Sequence, residues 1–259
     1  MAIWMAIVLG LVQGLTEFIP VSSSGHLLML REFFNLPDEH DFIMFDIILH
    51  IGTLFAVFIV FHKKIWELVK NPFCKTNLCL VVATLISCVL VVLFNDLFSK
   101  AMKFEVLIVT FLITAVVLLI INWVAKKIEH STHKDPNYRD AIWAGFAQGL
   151  AVIPGISRSG STLVSCLATG MERKAAAEFS FLMSIPIIIA SFVYELIKSP
   201  GSVQVVSPWA MILGFLASLV AGILAIKLML KVLENIKLYW FSIYLFLLSA
   251  GLIVYLIIT

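Results

Sequence analysis

Long apolar runs separated by short polar segments make up most of this chain. Six runs reach roughly 20 residues, the length that a helix needs to cross the hydrocarbon core of a bilayer. They cover about 42–61, 78–94, 104–124, 178–197, 209–230 and 239–258. The pattern therefore predicts an all-α integral membrane protein with six transmembrane helices.

Two further apolar stretches, 1–30 and 141–171, are interrupted near their middles by polar and helix-breaking residues. The first is broken at FIPVSSSGH and the second at VIPGISRSGS. Each half is only about ten to sixteen residues long, which is too short to span a bilayer. We expect each stretch to form a re-entrant helical hairpin, which enters the membrane part-way and returns on the same side.

The two broken stretches resemble each other at a fixed offset. GLVQGLTEFIPVSSSG from Gly10 aligns without a gap on GFAQGLAVIPGISRSG from Gly145, an offset of 135 residues, and this offset carries the first three spans onto the last three. The chain is therefore predicted to be one membrane domain, 1–259, with repeat 1 at about 1–124 and repeat 2 at about 141–259. Because each repeat crosses the membrane an odd number of times, the two repeats have inverted topology, an arrangement that builds sites near the midplane.

The composition agrees with a membrane protein. Hydrophobic residues are 61% of the chain and charged residues 13%, whereas a soluble domain is nearer half apolar and a quarter charged. The N-terminus has no basic residue before its apolar run, so we expect no secretory signal there. We expect no nucleic-acid partner. The cysteines have no metal-ligand spacing and predict neither a metal site nor a disulfide; they are Cys74, Cys79, Cys88 and Cys166.

Basic residues are distributed unequally between the two sets of loops. One set holds twelve Lys and Arg residues and the other holds four. The richer set comprises the loops near 62–77, 125–140, 171–178 and 231–238, and the poorer set those near 31–41, 95–103 and 198–208. Because basic loops stay in the cytoplasm, we expect both termini and the mouth of the first hairpin to face outward.

Ionisable residues lie within both broken stretches. Glu17 and His26 belong to the first, and Arg158 belongs to the second. A charged group at the bilayer centre costs about 2.5–3.5 kcal/mol on insertion scales, so these groups should face a watery cavity or one another. A Glu–Arg pair that only locks the hairpins together is an alternative, but it does not explain the neighbouring serines.

The second break has the residue types of a phosphate-binding site. Arg158 supplies a planar fork that matches phosphate oxygens. Glycines let the backbone N–H groups approach a ligand, and the N-terminus of the following helix favours an anion. The candidate substrate-binding residues are Gly155, Ser157, Ser159, Gly160, Ser161 and Thr162, with Ser22, Ser24 and Gly25 at the corresponding positions of the first break.

The first break adds residues suited to catalysis. Glu17 can hold a divalent cation or orient an imidazole. His26 can act as a base, an acid or a nucleophile near neutral pH. Ser23 is a candidate nucleophile that such a base would activate. The residues alone leave water, Ser23 and His26 open as the attacking group.

Two further pairs of polar residues allow two interpretations each. Asp46 and His50 lie four residues apart on one face of the first full span. They either line the cavity or make a local hydrogen bond between helices. Gln13 and Gln148 occupy corresponding positions in the two repeats, where they either coordinate a ligand or tie the hairpins together.

The motifs QGLTEFIPVSSSGH and PGISRSGST resemble the two signature motifs of the undecaprenyl-diphosphatase family, the bacitracin-resistance integral membrane phosphatases. The resemblance extends over essentially the whole chain. It implies hydrolysis of undecaprenyl diphosphate to undecaprenyl phosphate, which recycles the lipid carrier of bacterial cell-wall synthesis. It also implies six spans, two re-entrant hairpins and inverted repeats in the plasma membrane, with a site open to the outer face and dependent on a divalent cation, Mg or Ca.

The resemblance also implies roles for individual residues. The acidic motif falls on Gln13 and Glu17, which would bind the cation. Some members of the family have Glu where this chain has Gln13, and because an amide is a weaker cation ligand than a carboxylate, Glu17 is the main candidate. The remaining matches imply catalytic roles for Glu17, Ser23, His26 and Arg158, and phosphate contacts for Ser157, Ser159 and Thr162.

The expected partners are a long-chain prenyl diphosphate lipid and the bilayer, and a homodimer is left open. The main competing function is a transporter or flippase of an anionic prenyl-phosphate lipid, because inverted repeats with broken helices are common in transporters. A purely structural scaffold would leave Arg158 and His26 unexplained.

Overall fold

A computed structural model describes most of the chain. The described residues are 1–36, 43–94, 98, 103–127, 133–198, 206–233 and 238–258, without the side chains of 43, 122–127, 195, 196 and 198. Parts of the loops whose basic residues were counted lie outside the described residues. These parts are 37–42, 95–97, 99–102, 128–132, 199–205 and 234–237.

Helices account for nearly all regular structure in the described ranges, which confirms an all-α fold there. They are α1 (Ile3–Phe18), α2 (Ser23–Phe33), α3 (Ile43–Val60), α4 (His62–Lys70), α5 (Lys75–Leu93), α6 (Val106–Lys127), α7 (Tyr138–Leu150), α8 (Arg158–Ala168), α9 (Arg173–Lys198), α10 (Pro208–Val232) and α11 (Tyr239–Ile258). The six predicted spans coincide with α3, α5, α6, α9, α10 and α11.

Four of these helices are long and apolar enough to cross a membrane. They are α5, α9, α10 and α11. A fifth span results if α3 and α4, which meet at an angle of 81°, are counted together. The apolar part of α6 that the structure describes, Val106–Ile121, is shorter. By length and composition the chain is therefore a multi-pass membrane protein, while six complete spans stay a prediction.

Helix α4 was not predicted from the hydrophobic pattern, which placed a loop after residue 61. None of its nine residues is buried. Its apolar side chains Trp66 and Val69 are 61% and 64% exposed, and the Lys70 ammonium lies 5.4 Å from the centre of the Trp66 ring. A short helix with one apolar face and one mostly basic face is typical of the membrane–water interface. Because basic and apolar residues alternate along α4, it contains no continuous apolar run from which a helix could be predicted.

Each predicted hairpin is a pair of short helices separated by a break. In the first break, Ile19 is extended ahead of Pro20, because proline disfavours the helical conformation in the residue before it. Ser22 then caps α2 by accepting a hydrogen bond from Gly25 N at 3.4 Å. Ser157 caps α8 in the same way, accepting from Gly160 N at 3.0 Å. Both breaks therefore end in a serine cap, which is a favoured start for a helix.

Small residues allow the first helix of each pair to lie close to a long helix. Helix α1 packs on α10 and α7 packs on α5. A Cβ atom at Gly14 would lie 2.6 Å from the Ala221 Cβ, so only glycine fits there. At the second contact, Gly145 lies against Ala83 and its carbonyl accepts a hydrogen bond of 2.9 Å from Ser87 Oγ. These close contacts fix the direction in which α1 and α7 deliver the chain to the breaks.

Apolar side chains enclose the breaks on two sides. On one side Phe18 packs edge-to-face on Phe181, with 5.3 Å between ring centres. On the other side Val21 belongs to a buried cluster with Phe111 and Leu245, from α6 and α11. The irregular backbone of the first break is therefore surrounded by protein, the condition under which such backbone is tolerated at membrane depth.

Candidate active site

The two breaks face each other and are joined by hydrogen bonds. Gly155 N donates to Ser22 Oγ at 3.1 Å, and Ser159 Oγ donates to Ile19 O at 3.2 Å. The backbones also touch, because a Cβ atom at Gly25 would lie 2.9 Å from the Gly155 Cα. The structure thus brings the two motifs together from residues more than 130 positions apart in the chain.

Helix α6 holds the second break in place. Gly155 has φ +90°, a conformation that suits glycine, and a Cβ atom there would collide with the Thr110 hydroxyl. One turn further along α6, Thr114 Oγ1 donates to Gly155 O at 2.9 Å and accepts from Ser157 N at 3.2 Å. The Thr114 side chain therefore satisfies two backbone polar groups of the loop before α8.

Glu17, near the end of α1, is the centre of the polar cluster. Its side chain is only 3% exposed, and Oε1 accepts from Arg158 Nη2 in a direct ion pair. Oε2 accepts from Ser23 Oγ at 2.5 Å and from Gln13 Nε2 at 3.0 Å. The His50 Nε2 atom lies 3.8 Å from the same oxygen. These partners compensate for burying a carboxylate, which would be strongly destabilising if it were unpaired.

Arg158 is positioned to bind an anion. It is the first residue of α8, and its side chain is 18% exposed, more than that of Glu17. The guanidinium has five N–H donors, more than a single carboxylate oxygen can accept. The positive end of the α8 dipole lies at the same place. A phosphate group that reached this helix terminus would meet both the guanidinium and the helix dipole.

The predicted substrate-binding hydroxyls are mostly bonded to the protein. Ser157 Oγ caps α8, and Ser159 Oγ bonds Ile19 O as described above. Thr162 Oγ1 donates to Arg158 O at 2.9 Å and lies 2.5 Å from Ser180 Oγ. Ser24 Oγ lies 3.3 Å from Ser22 Oγ. In this structure these groups shape the breaks around Arg158.

The His26 side chain bonds residues other than Glu17. His26 is 4% exposed, and its Nδ1 lies 2.7 Å from Ser22 O. The other ring nitrogen, Nε2, lies 2.7 Å from the Tyr244 hydroxyl. Among the described residues no hydrogen bond joins His26 to Glu17 or to Ser23. The structure therefore does not support the idea that Glu17 orients His26 while His26 activates Ser23, because Ser23 donates to Glu17 itself.

Three residues of the neighbourhood were missed or only partly predicted. Tyr244 lies in an apolar run with no motif around it, so no local signal identifies it. His50 Nδ1 lies 2.8 Å from Asp46 O within its own helix, and Nε2 lies 3.8 Å from Glu17 Oε2, so both interpretations of His50 stay predictions. Arg31, counted as a loop residue in the sequence, has a buried side chain that forms an ion pair with Asp46.

The residues beside Glu17 fit a cation that is shared with substrate. Gln13 Oε1 is buried without a hydrogen-bond partner in the described part of the chain, and the Nε2 atom of the same amide bonds Glu17. Mg²⁺ is usually held by one or two protein oxygens together with substrate phosphates. No group of three or more His, Cys, Asp or Glu side chains in the described ranges could hold a metal ion.

Comparison with known protein families identifies similar proteins over nearly the whole chain. A family model described as "Bacitracin resistance protein BacA" matches residues 6–251. The undecaprenyl-diphosphatase of Carboxydothermus hydrogenoformans is 37% identical over 258 residues, which cover 97% of this chain and 96% of that protein. That of Treponema denticola is 39% identical over 270 residues, 98% of each chain.

A third relative, undecaprenyl-diphosphatase 4 of Bacillus cereus, is 38% identical over 246 residues, 93% of each chain. These names give no support to a transporter or a flippase. The region that the family model matches includes both breaks.

Proposed function

The chain belongs to the bacitracin resistance protein BacA family, and we propose that it hydrolyses undecaprenyl diphosphate to undecaprenyl phosphate and inorganic phosphate. Similar proteins over nearly their whole length carry the name undecaprenyl-diphosphatase. The substrate combines a diphosphate head with a long prenyl tail. The head requires cationic and hydrogen-bonding groups, and the tail requires contact with lipid.

One observation carries this function. The ion pair between Glu17 and Arg158 joins the two breaks, and the hydroxyl of Ser23 bonds the same carboxylate. A group that can accept a proton, a candidate nucleophile and a phosphate-binding cation therefore lie within one cluster of a membrane protein. An ion pair with a purely structural role does not account for the serine bonded to it.

The geometry favours Ser23 as the nucleophile and Glu17 as its base. Ser23 Oγ attacks the terminal phosphorus, and its proton passes to Glu17 along the existing 2.5 Å hydrogen bond. The bond between that phosphorus and the bridging oxygen breaks, and undecaprenyl phosphate leaves. Water then hydrolyses the phosphoserine and releases inorganic phosphate. Arg158 and the N-terminus of α8 offset the negative charge on the transferred phosphoryl group.

A divalent cation, Mg²⁺ or Ca²⁺, is part of the proposal. Glu17 and Gln13 Oε1 are the protein oxygens available to it. When bound, the cation would neutralise part of the charge of the diphosphate. Addition of EDTA is then expected to lower phosphate release, and added Mg²⁺ or Ca²⁺ to restore it.

We further propose two re-entrant hairpins and inverted repeats in a bacterial plasma membrane, with the site open to the outer face and both termini outside. The helix bounds support the repeat, since adding 135 to Ser23–Phe33 gives 158–168, the bounds of α8. The contacts support it too, because α1 packs on α10 and their counterparts, α7 and α5, pack on each other.

The decisive experiment measures phosphate release from a long-chain prenyl diphosphate by the detergent-purified protein. Arg158→Lys keeps the charge but loses the planar fork, and we expect phosphate release to fall by about a hundredfold or more. Arg139→Lys, at an exposed position of α7, is the matched control and should retain activity. A wild-type protein that is folded but inactive would contradict the proposed function.

A rapid-quench experiment with a substrate labelled in the terminal phosphate tests the nucleophile. Label is expected on Ser23 and absent in Ser23→Ala, while Ser165→Ala on α8 should label normally. Label on His26, or turnover without any labelled protein, would reject Ser23 as the attacking group.

A further inference from the structure

Tyr244, near the start of α11, has no assigned role, and we propose that it is a positioning residue of the reaction. Its hydroxyl holds the His26 ring, and the ring in turn holds the Ser22 carbonyl, so that the neighbouring Ser23 is presented to Glu17. This inference rests on the proposed function and adds a residue from the last helix to the site.

The contacts of His26 leave its ring little freedom. The ring lies nearly parallel to that of Tyr244, with 9° between the planes and 5.7 Å between the centres. Phe111 from α6 packs edge-on against it at 5.4 Å. Each ring nitrogen has one partner at 2.7 Å, Ser22 O for Nδ1 and the Tyr244 hydroxyl for Nε2.

These partners select one tautomer of the imidazole. A backbone carbonyl can only accept a hydrogen bond, so Nδ1 must carry a proton. In the neutral ring Nε2 is then an acceptor, and the Tyr244 hydroxyl is its donor. Without that donor the tautomer protonated on Nε2 becomes accessible. In that tautomer Nδ1 has no proton and cannot bond Ser22 O.

Ser22 has an unfavourable backbone conformation that its hydrogen bonds stabilise. Its φ is +70°, a left-handed conformation that residues with a side chain rarely adopt. Its Oγ accepts from Gly155 N across the two breaks, and its carbonyl accepts from His26. The next residue is Ser23, whose hydroxyl bonds Glu17. A shift of the Ser22 carbonyl therefore moves the start of α2, and with it the hydroxyl of Ser23.

A role in packing alone does not require the hydroxyl. Phenylalanine would place the same ring against His26, and the 2.7 Å hydrogen bond is the feature that distinguishes tyrosine here. The hydroxyl of Tyr244 is directed to a ring nitrogen of His26, a residue of the first motif.

The test compares Tyr244→Phe with Tyr138→Phe, which makes the same change at an exposed position of α7. We expect Tyr244→Phe to lower kcat about tenfold with KM within twofold of wild type, and Tyr138→Phe to change neither. Thermal unfolding in detergent checks that both variants are folded.

A second readout follows the imidazole directly. Nitrogen-15 NMR of histidine-labelled protein, with the His26 signal assigned from a His26→Asn variant, should show one Nδ1-protonated tautomer in the wild type. In Tyr244→Phe it should show a mixture of tautomers. An unchanged kcat in Tyr244→Phe would overturn the proposal. So would a variant that keeps the wild-type tautomer and loses activity only because it is less stable. Should the wild type release no phosphate, the proposed function would fail, while the NMR comparison would still decide whether Tyr244 positions His26.

Discussion

At the scale of single residues, Glu17 has the most connected position in the site. Its carboxylate bonds residues of its own helix, of α2 and of α8. Two roles follow from these bonds, namely acceptance of the Ser23 proton and compensation of the Arg158 charge. A substitution that removes the charge but keeps the shape addresses both roles.

Glu17→Gln is expected to lower kcat/KM by about a hundredfold or more, because an amide is a poor base and leaves the Arg158 guanidinium without its counter-charge. The rate of phosphate release at several substrate concentrations measures kcat/KM. Glu32→Gln, an exposed position of α2, is the matched control. If Glu17→Gln retained the activity of this control, the role of Glu17 as base would be rejected.

The residues of the site could be predicted from the sequence only where a motif marked them. Glu17 and Arg158 stand out because charges are costly in apolar segments, and the repeat suggested that their breaks meet. The bond between His26 and Tyr244 spans 218 positions and joins a motif to an ordinary apolar helix. The pair of Arg31 and Asp46 likewise depends on how α2 packs beside α3. Such contacts are properties of the packing, and no local pattern encodes them.

At the scale of helices, the breaks depend on positions where a side chain would not fit. Gly155→Ala introduces a methyl group at φ +90° and against the Thr110 side chain. We expect a loss of stability of about 2–5 kcal/mol from backbone strain and overpacking together. The midpoint of thermal unfolding in detergent measures it.

Gly251→Ala on α11 is the control for that substitution, because a Cβ atom at Gly251 would meet nothing within 4 Å. This substitution should leave stability unchanged or raise it slightly, since alanine has a higher helix propensity than glycine. Equal midpoints for the two variants would contradict the close packing of Gly155 on α6.

Helix positions could be predicted well where apolar runs are long, and poorly where composition is mixed. The six predicted spans each coincide with a helix, because burial in lipid forces the backbone to satisfy its own hydrogen bonds. Helix α4 was missed because its basic and aromatic residues average to a polar segment. Its 81° bend from α3 follows a one-residue break at Phe61, which lies in the apolar run and carries no helix-breaking signal.

At the scale of the whole molecule, the proposed orientation can be tested by chemical labelling. In a cysteine-free background, Ser207→Cys lies before α10 and Asp135→Cys before α7, both at exposed positions. A membrane-impermeant thiol reagent added to intact cells should label Ser207→Cys and leave Asp135→Cys unlabelled until the cells are lysed. The reverse pattern would invert the proposed orientation and place the first break toward the cytoplasm.

The separation of Glu17 and Arg158 along the chain also has a consequence for biosynthesis. At about 5–20 residues per second, a ribosome needs roughly 7–30 s to make the 141 residues between them. Glu17 therefore enters the membrane well before its guanidinium partner exists. Gln13 and Ser23 are only four and six positions away and emerge together with it. These two neighbours can donate hydrogen bonds to the Glu17 carboxylate in the nascent chain before the second half of the protein has been made.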